Sequence, residues 1–272
     1  MAGRRNRSLG ESEGDSYLAS LSDLMVGMLF IFIIMLMAFA LSYRSAEDDS
    51  SATVEALATM VDEVTRKTAF LEKGQALLTE NKVMLDRMLE EIRRALAERK
   101  VDATVEEGGV LRLRDSMPFA SGDADLGPVA ARTTAILAET LAGIMPCYSA
   151  TAAKRGRCPA DSRPILEGVF IEGHTDNQPI SGKYRDNWVL STARASNTYE
   201  AIKAAAPTLG QLRNGTGKVM FGVSGYGEER PVASNESNTS RALNRRIDLR
   251  FLLATPTPEQ LERIRREVEA VR

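Results

Sequence analysis

The apolar residues of this chain follow three successive patterns, and the first is an uninterrupted run near the N-terminus. The twenty residues 24–43 carry no charged side chain. A helix needs about 20 apolar residues to cross the hydrocarbon core of a bilayer. The run therefore predicts a transmembrane helix over 17–43, preceded by a short N-terminal segment, 1–16.

The charges on either side of this run predict its orientation. Short arginine-rich flanks stay in the cytoplasm, so we expect a single-pass protein with a cytoplasmic N-terminus. A cleaved signal peptide is the alternative, but its apolar core is only about 7–15 residues long and is followed by small residues. The basic residues before the run are Arg4, Arg5 and Arg7, and the acidic residues after it are Glu47, Asp48 and Asp49.

One carboxylate, Asp23, stands at the leading edge of the run. A charged side chain inside a membrane is costly, and such residues commonly serve ion or proton pathways. Asp23 is therefore a candidate ion carrier. The alternative is a helix-capping or interfacial acid at the membrane surface, and position alone leaves both interpretations open.

The second pattern is a heptad repeat that begins after a short polar linker at 45–52. Apolar residues recur at alternating spacings of three and four, which is typical of a coiled coil. We expect a linker and coiled-coil stalk over 44–104 that forms a parallel homodimer, and the alternative is a single helix that lies on the following domain. The heptad positions are Val54, Leu57, Val61, Val64, Thr68, Leu71, Gln75, Leu78, Lys82, Leu85, Leu89, Ile92 and Leu96.

In the third pattern, strand-like and helix-like segments alternate. This order predicts the α+β fold class, with an α/β sandwich built on a mixed sheet over 105–254 and a C-terminal helix in 255–272. The predicted strands are 110–114, 165–171, 218–223 and 247–253, and the predicted helices are 130–144, 187–206 and 258–272.

Composition narrows the chemistry. The net charge of −2 gives no indication of nucleic-acid binding. One histidine and two cysteines are too few for a convincing metal site, and we expect no cofactor. Both cysteines, Cys147 and Cys158, are predicted outside the cytoplasm, where an even count favours a disulfide. No nucleophile–base pair is recognisable, so we do not expect an enzyme.

Candidate binding residues lie in one polar segment. Asp176 directly follows a predicted strand, and Arg194 lies about two turns into the next helix, on the same face as Asn187. An acid and an arginine in one cleft can hold the ammonium and the carboxylate of a zwitterion. A purely structural salt bridge is the alternative.

At this point the sequence resembles the OmpA-like peptidoglycan-binding domain. The motifs GHTD, LS-x-x-RA, GYGE and RALNRR, together with PFASGDADL, occur in that family's order over about 105–253. The resemblance implies that Asp176 and Arg194 hold the zwitterionic end of the diaminopimelate residue in the peptidoglycan stem peptide. It also implies that Asn187, Leu190 and Arg245 line the same groove. The cysteine-bearing insert 147–164 departs from the family's compact pattern.

The membrane span and this domain together resemble the B subunits of MotB-like stators. That resemblance implies a homodimer inside a ring of MotA-like subunits in the bacterial inner membrane, with Asp23 carrying a proton or a sodium ion. The residues around Asp23 look closer to the ZorB subunits of Zorya anti-phage systems, whose partners would be ZorA-type. The alternatives are a flagellar MotB stator and a purely structural tether between membrane and wall.

Overall fold

The computed structural model describes residues 12–113, 119–151 and 158–271, with side chains described from residue 21 onward. The basic residues used to predict the orientation lie outside the described residues. The same holds for the first residue of the PFASGDADL motif and for the middle of the cysteine-bearing insert.

In the first compact unit, Met1–Ala69, the described residues form the first part of a long helix, α1 (Ser12–Glu98). Within the described residues, α1 is the helix that is long and apolar enough to cross a membrane. Asp23 lies about three turns inside α1. Helix caps act at the first turn, so the capping interpretation of Asp23 is wrong. The predicted linker at 45–52 is helical throughout.

The second compact unit, Phe70–Arg272, takes the end of α1 into its own hydrophobic core. Six apolar residues in this part of α1 are no more than 6% exposed, whereas the apolar heptad residues from Val54 to Leu78 are at least 40% exposed. For the end of α1, the structure therefore agrees with the alternative of a helix lying on the domain. The buried residues are Met84, Leu85, Met88, Leu89, Ile92 and Leu96.

The second unit is organised around one five-stranded mixed sheet in the order β1-β2-β5-β3-β4. Strands β3 and β4 are parallel, and the other neighbours are antiparallel. The predicted α+β class and mixed sheet are confirmed, with one additional short strand, β1. The strands are β1 (Ala103–Glu106), β2 (Val110–Leu113), β3 (Leu166–Gly173), β4 (Phe221–Gly225) and β5 (Ile247–Leu253).

Four further α-helices accompany the sheet in the described part of the chain, and α3 packs on β3 and β4 as well as against α2. Two glycines permit this close approach. A Cβ atom at Gly173 would overlap the backbone carbonyl of Ser191, and one at Gly225 would lie 2.6 Å from the backbone nitrogen of Thr192. The start of α3 is thus held directly against the strand ends. The helices are α2 (Pro128–Ile144), α3 (Asn187–Ala205), α4 (Asn238–Asn244) and α5 (Pro258–Glu269).

The cysteine-bearing insert contacts α1 next to its disulfide. Cys147 and Cys158 are bonded, with an S–S distance of 2.04 Å. Beyond this bond, Arg163 donates to the Asn81 side-chain oxygen at 2.8 Å. Arg87 of α1 pairs with Asp161 at 2.6 Å. The insert therefore connects the end of α1 to the rest of the domain.

Candidate functional site

Asp176 lies just beyond the end of β3, in a segment that two backbone hydrogen bonds hold in place. His174 N donates to Arg246 O at 3.0 Å, and Thr175 N donates to Gly227 O at 2.9 Å. These bonds continue the strand's course past its last residue. As a result the Asp176 side chain is held at the sheet end and is only 7% exposed.

An ion pair joins Asp176 to Arg245. Arg245 Nη1 lies 2.7 Å from Asp176 Oδ2, and its Nε donates to Phe119 O at 3.3 Å. The other carboxylate oxygen accepts a bond from the Gln178 backbone at 3.2 Å. The Arg245 side chain is 20% exposed, so solvent reaches this charge-assisted contact from one side. Two of the predicted groove residues therefore meet at the protein surface.

Arg194 lies below this pair and is completely buried. Its guanidinium donates to three backbone carbonyls: Asp123 O at 2.8 Å, Ala120 O at 2.9 Å and His174 O at 3.2 Å. Burial lowers the pKa of Arg194 to about 10, although nearby Asp176 opposes the shift. The sequence predicted a direct contact with a ligand. That contact stays a prediction, and in the single chain Arg194 fixes the segment that carries Ala120 and Asp123.

Asn187 and Leu190 occupy the first turn of α3. Asp186 caps this helix by accepting a hydrogen bond from Val189 N at 2.9 Å. Asn187 donates to Gln178 O at 3.2 Å and also to the Glu228 carboxylate, so it connects the segment after Asp176 to the turn after β4. Its side-chain oxygen is buried and has no hydrogen-bond partner among the described residues. Leu190 is 2% exposed and supplies apolar packing below them.

Helix α4, which the sequence analysis missed, positions Arg245. Ser237 caps it by accepting from Ser240 N at 3.1 Å. At its other end, the fully buried Asn244 accepts bonds from Val232 N at 2.8 Å and Ala233 N at 3.1 Å. Arg245 follows directly as the C-cap residue. The signal available in the sequence was the serine three residues after the capping serine, a weaker form of the usual capping box.

On the sheet next to the groove, each of two buried acids is paired with an arginine. Arg250 binds Glu172 through two bonds of 2.6 and 3.0 Å, and Arg112 binds Asp248 through bonds of 3.0 and 3.1 Å. Such bidentate pairs are geometrically specific as well as strong. They hold β2, β3 and β5 in register beside the site.

His174 is enclosed between this network and the groove. Burial lowers the pKa of His174 to about 3, and the cation of Arg246 adds to the effect while Asp248 opposes it. The imidazole is therefore neutral at physiological pH, and it stacks on Tyr226 with ring centroids 5.4 Å apart. Among the described residues, no group of three or more histidine, cysteine, aspartate or glutamate side chains is placed to hold a metal ion.

Comparison with known proteins finds a family match inside the second unit. Residues 160–245 match the model of the OmpA family. The C-terminal domain is an OmpA-family domain. The matched stretch contains Asp176, Arg194 and Arg245, and it ends at the arginine that pairs with the acid.

The chain is similar to a motility protein and to two proteins of known structure. It is 38% identical over 85 residues to Motility protein B of Bacillus subtilis (strain 168), a match that covers 31% of this chain and 30% of that protein. The cell wall anchor of the T6SS from Pseudomonas aeruginosa is 25% identical, covering 62% of this chain and 97% of that one, with a TM-score of 0.41. A putative MotB like protein from Desulfovibrio vulgaris is 23% identical over 66% of this chain and 99% of that one, with a TM-score of 0.45.

Proposed function

We propose that this chain is the B subunit of a wall-anchored, ion-driven stator in the bacterial inner membrane, with Asp23 as the ion carrier. The observation that carries the proposal is the combination of two features in one chain. One is an apolar helix with a single carboxylate at its edge, and the other is an OmpA-family domain with an acid–arginine groove. A tether needs both segments, but it does not need a charge at the edge of the span.

Wall binding is assigned to the groove that contains Asp176 and Arg245. The free end of a diaminopimelate residue carries an ammonium and a carboxylate. The ammonium would replace the Arg245 guanidinium at Asp176, and the released guanidinium would turn to the carboxylate. One charge-assisted contact of 2.7 Å is thus exchanged for two, which favours a zwitterion over a simple cation or anion. Arg194 supports this exchange by holding the loop below, and Asn187 and Leu190 complete the wall of the groove.

Dimerisation is assigned to the upstream part of α1. Its apolar heptad residues from Val54 to Leu71 are 60–68% exposed in the single chain. A second copy would cover this stripe by knobs-into-holes packing. The homodimer would bring two Asp23 side chains into one assembly, surrounded by MotA-like (ZorA-type) subunits.

In this arrangement the ion passes by way of Asp23. Loading a proton or a sodium ion onto the carboxylate removes its charge, and release restores it. The changing field would drive the ring of A subunits around the B dimer, because charge inside a membrane interacts strongly with its surroundings. The wall contact would keep the B dimer from turning with the ring.

We assign the complex to Zorya-type anti-phage defence, on the residues that surround Asp23 (Leu21 to Met25). A flagellar motility stator is the second candidate, and the similarity of the OmpA-family domain to Motility protein B favours it. The neighbouring genes separate the two, since a helicase or nuclease gene beside this one supports defence and flagellar genes support motility. A purely structural tether would tolerate the loss of the Asp23 carboxylate, whereas a stator would not.

Pull-down by purified peptidoglycan tests the wall-binding part of the proposal. In the detergent-solubilised full-length chain, Asp176→Ala should greatly reduce the bound fraction, because it removes the acceptor for the ammonium. Glu236→Ala, at an exposed acid of the loop before α4, is the matched control and should bind normally. Normal binding by a folded Asp176→Ala variant would place the wall site elsewhere.

A further inference from the structure

Trp188 is the only tryptophan of the chain, and it lies half exposed at the edge of the groove. It follows Asn187 in the first turn of α3, and its side chain is 50% exposed. Tryptophan side chains are highly buried on average, and they are enriched at the residues that dominate binding interfaces. Its exposure next to a predicted ligand groove indicates a contact surface.

The backbone of Gly227 links the indole to the Asp176 segment. Gly227 O accepts the hydrogen bond from Thr175 N, the residue before Asp176, at 2.9 Å. A Cβ atom added at Gly227 would lie 3.6 Å from Trp188 Cδ1. Gly227 also has a φ of 54°, which favours glycine, and its N–H donates to Ser191 Oγ at 2.9 Å. The indole is thus backed by a fixed turn that also supports the acid.

The polar groups beside the indole suit a ligand with hydroxyl groups. Glu228 is exposed, and among the described residues one of its two oxygens accepts a bond from Asn187. The buried Asn187 side-chain oxygen has no hydrogen-bond partner among the described residues, and the indole N–H of the half-exposed Trp188 is a hydrogen-bond donor. A flat apolar face bordered by acceptors and a donor complements a sugar ring, which presents C–H groups on its face and hydroxyls at its edge. Tryptophan combines both properties in one side chain.

We propose that Trp188 is a glycan-binding residue, which stacks on a sugar ring of the peptidoglycan strand while Asp176 and Arg245 hold the stem peptide. This inference rests on the proposed wall-binding function, and it adds a second contact to it. Stem peptide and sugar are covalently linked. The second contact therefore forms at high effective concentration and strengthens binding to the polymer more than its own affinity suggests.

The test compares two ligands that differ only in the sugar. One is a peptidoglycan disaccharide carrying a diaminopimelate stem peptide, and the other is the same peptide without sugar. With the detergent-solubilised full-length chain, Trp188→Ala should weaken binding of the glycopeptide about tenfold and change binding of the free peptide by less than about twofold. Trp188→Phe keeps an aromatic face and should retain most of the glycopeptide affinity. In the unsubstituted chain, fluorescence of this single tryptophan should respond to the glycopeptide and not to the peptide.

Two results would overturn the sugar contact: equal affinity of the unsubstituted chain for both ligands, or an equal effect of Trp188→Ala on both. Asp176→Ala tests the proposed function separately, because it should weaken the binding of the glycopeptide and of the free peptide alike. If Asp176→Ala bound both ligands normally while Trp188→Ala still discriminated between them, the peptide groove would be refuted and the sugar contact would stand.

Discussion

Asp176, Arg245 and Arg194 differ in burial, and we infer different roles for the two arginines from that difference. Asp176 and Arg245 meet at 2.7 Å with solvent on one side, whereas Arg194 is fully buried and binds three backbone carbonyls. Lysine cannot reproduce the planar fork of an arginine that donates in several directions. The same conservative substitution should therefore have different consequences at the two arginines.

Arg194→Lys should lower the free energy of unfolding of the domain by about 2–5 kcal/mol, because it leaves buried carbonyls without donors. Arg245→Lys keeps a cation beside Asp176 and should change that free energy by less than about 1 kcal/mol, while it weakens peptidoglycan binding. Thermal unfolding followed by Trp188 fluorescence, together with the pull-down, measures both effects. Equal loss of stability in the two variants would contradict the assignment of Arg194 to the loop.

His174 should make the stability of the domain depend on mildly acidic pH. Its pKa is about 3 when folded and about 6.5 when unfolded, so the unfolded chain binds the proton more readily. The contribution of His174 to the free energy of unfolding is therefore fully present above about pH 6.5, and it is lost progressively as the pH drops towards 3. Between pH 6.5 and 5, before ordinary carboxylates titrate, His174→Gln should lose less stability than the unsubstituted chain. If the free energy of unfolding fell equally with pH in the two proteins, His174 would not be the cause of the pH dependence.

At the scale of elements, α1 carries apolar residues in two different settings, one exposed and one buried. The stripe upstream of Leu78 is exposed, and the residues from Met84 to Leu96 lie in the core of the second unit. A coiled coil and a helix packed on a sheet both require an apolar residue about every 3.5 positions. The period of the apolar residues alone therefore does not distinguish a coiled-coil stripe from a stripe packed on the domain.

Leu89→Ala and Leu57→Ala should separate these surfaces. Leu89 is completely buried, so its truncation should destabilise the domain by about 2–5 kcal/mol. Leu57 is 60% exposed in the single chain, so its truncation should leave domain unfolding unchanged and reduce chemical cross-linking of the homodimer. If Leu57→Ala cross-linked normally, the upstream stripe would not be the dimer contact.

The sequence predicts the longer elements well because their patterns are local. The mixed sheet, α2, α3 and β5 follow from runs of alternating or periodic apolar residues. Helix α4 was missed, since it has only seven residues, most of them polar. The burial of Arg194 could not be predicted either. Its three acceptors lie 20 to 74 residues away along the chain, and only the folded structure brings them together.

At the scale of the molecule, the proposed function requires a wall-binding site and an ion-carrying carboxylate in the same chain. In the proposal, Asp176 and Arg245 would supply the wall contact, and Asp23 would supply the charge at the edge of the apolar run. A tether would use the first without the second. The carboxylate of Asp23 is therefore the group on which the account depends most.

The most direct measurement is the output of the complex in its native cells, as protection from phage or as motility, after Asp23→Asn. Membrane insertion and the fraction bound to peptidoglycan are measured on the same cells, and Asp48→Asn, an acid beyond the apolar run, is the matched control. The account predicts that Asp23→Asn abolishes the output, while insertion and wall binding persist and the control behaves normally. Full output from a correctly inserted, wall-bound Asp23→Asn protein would contradict it.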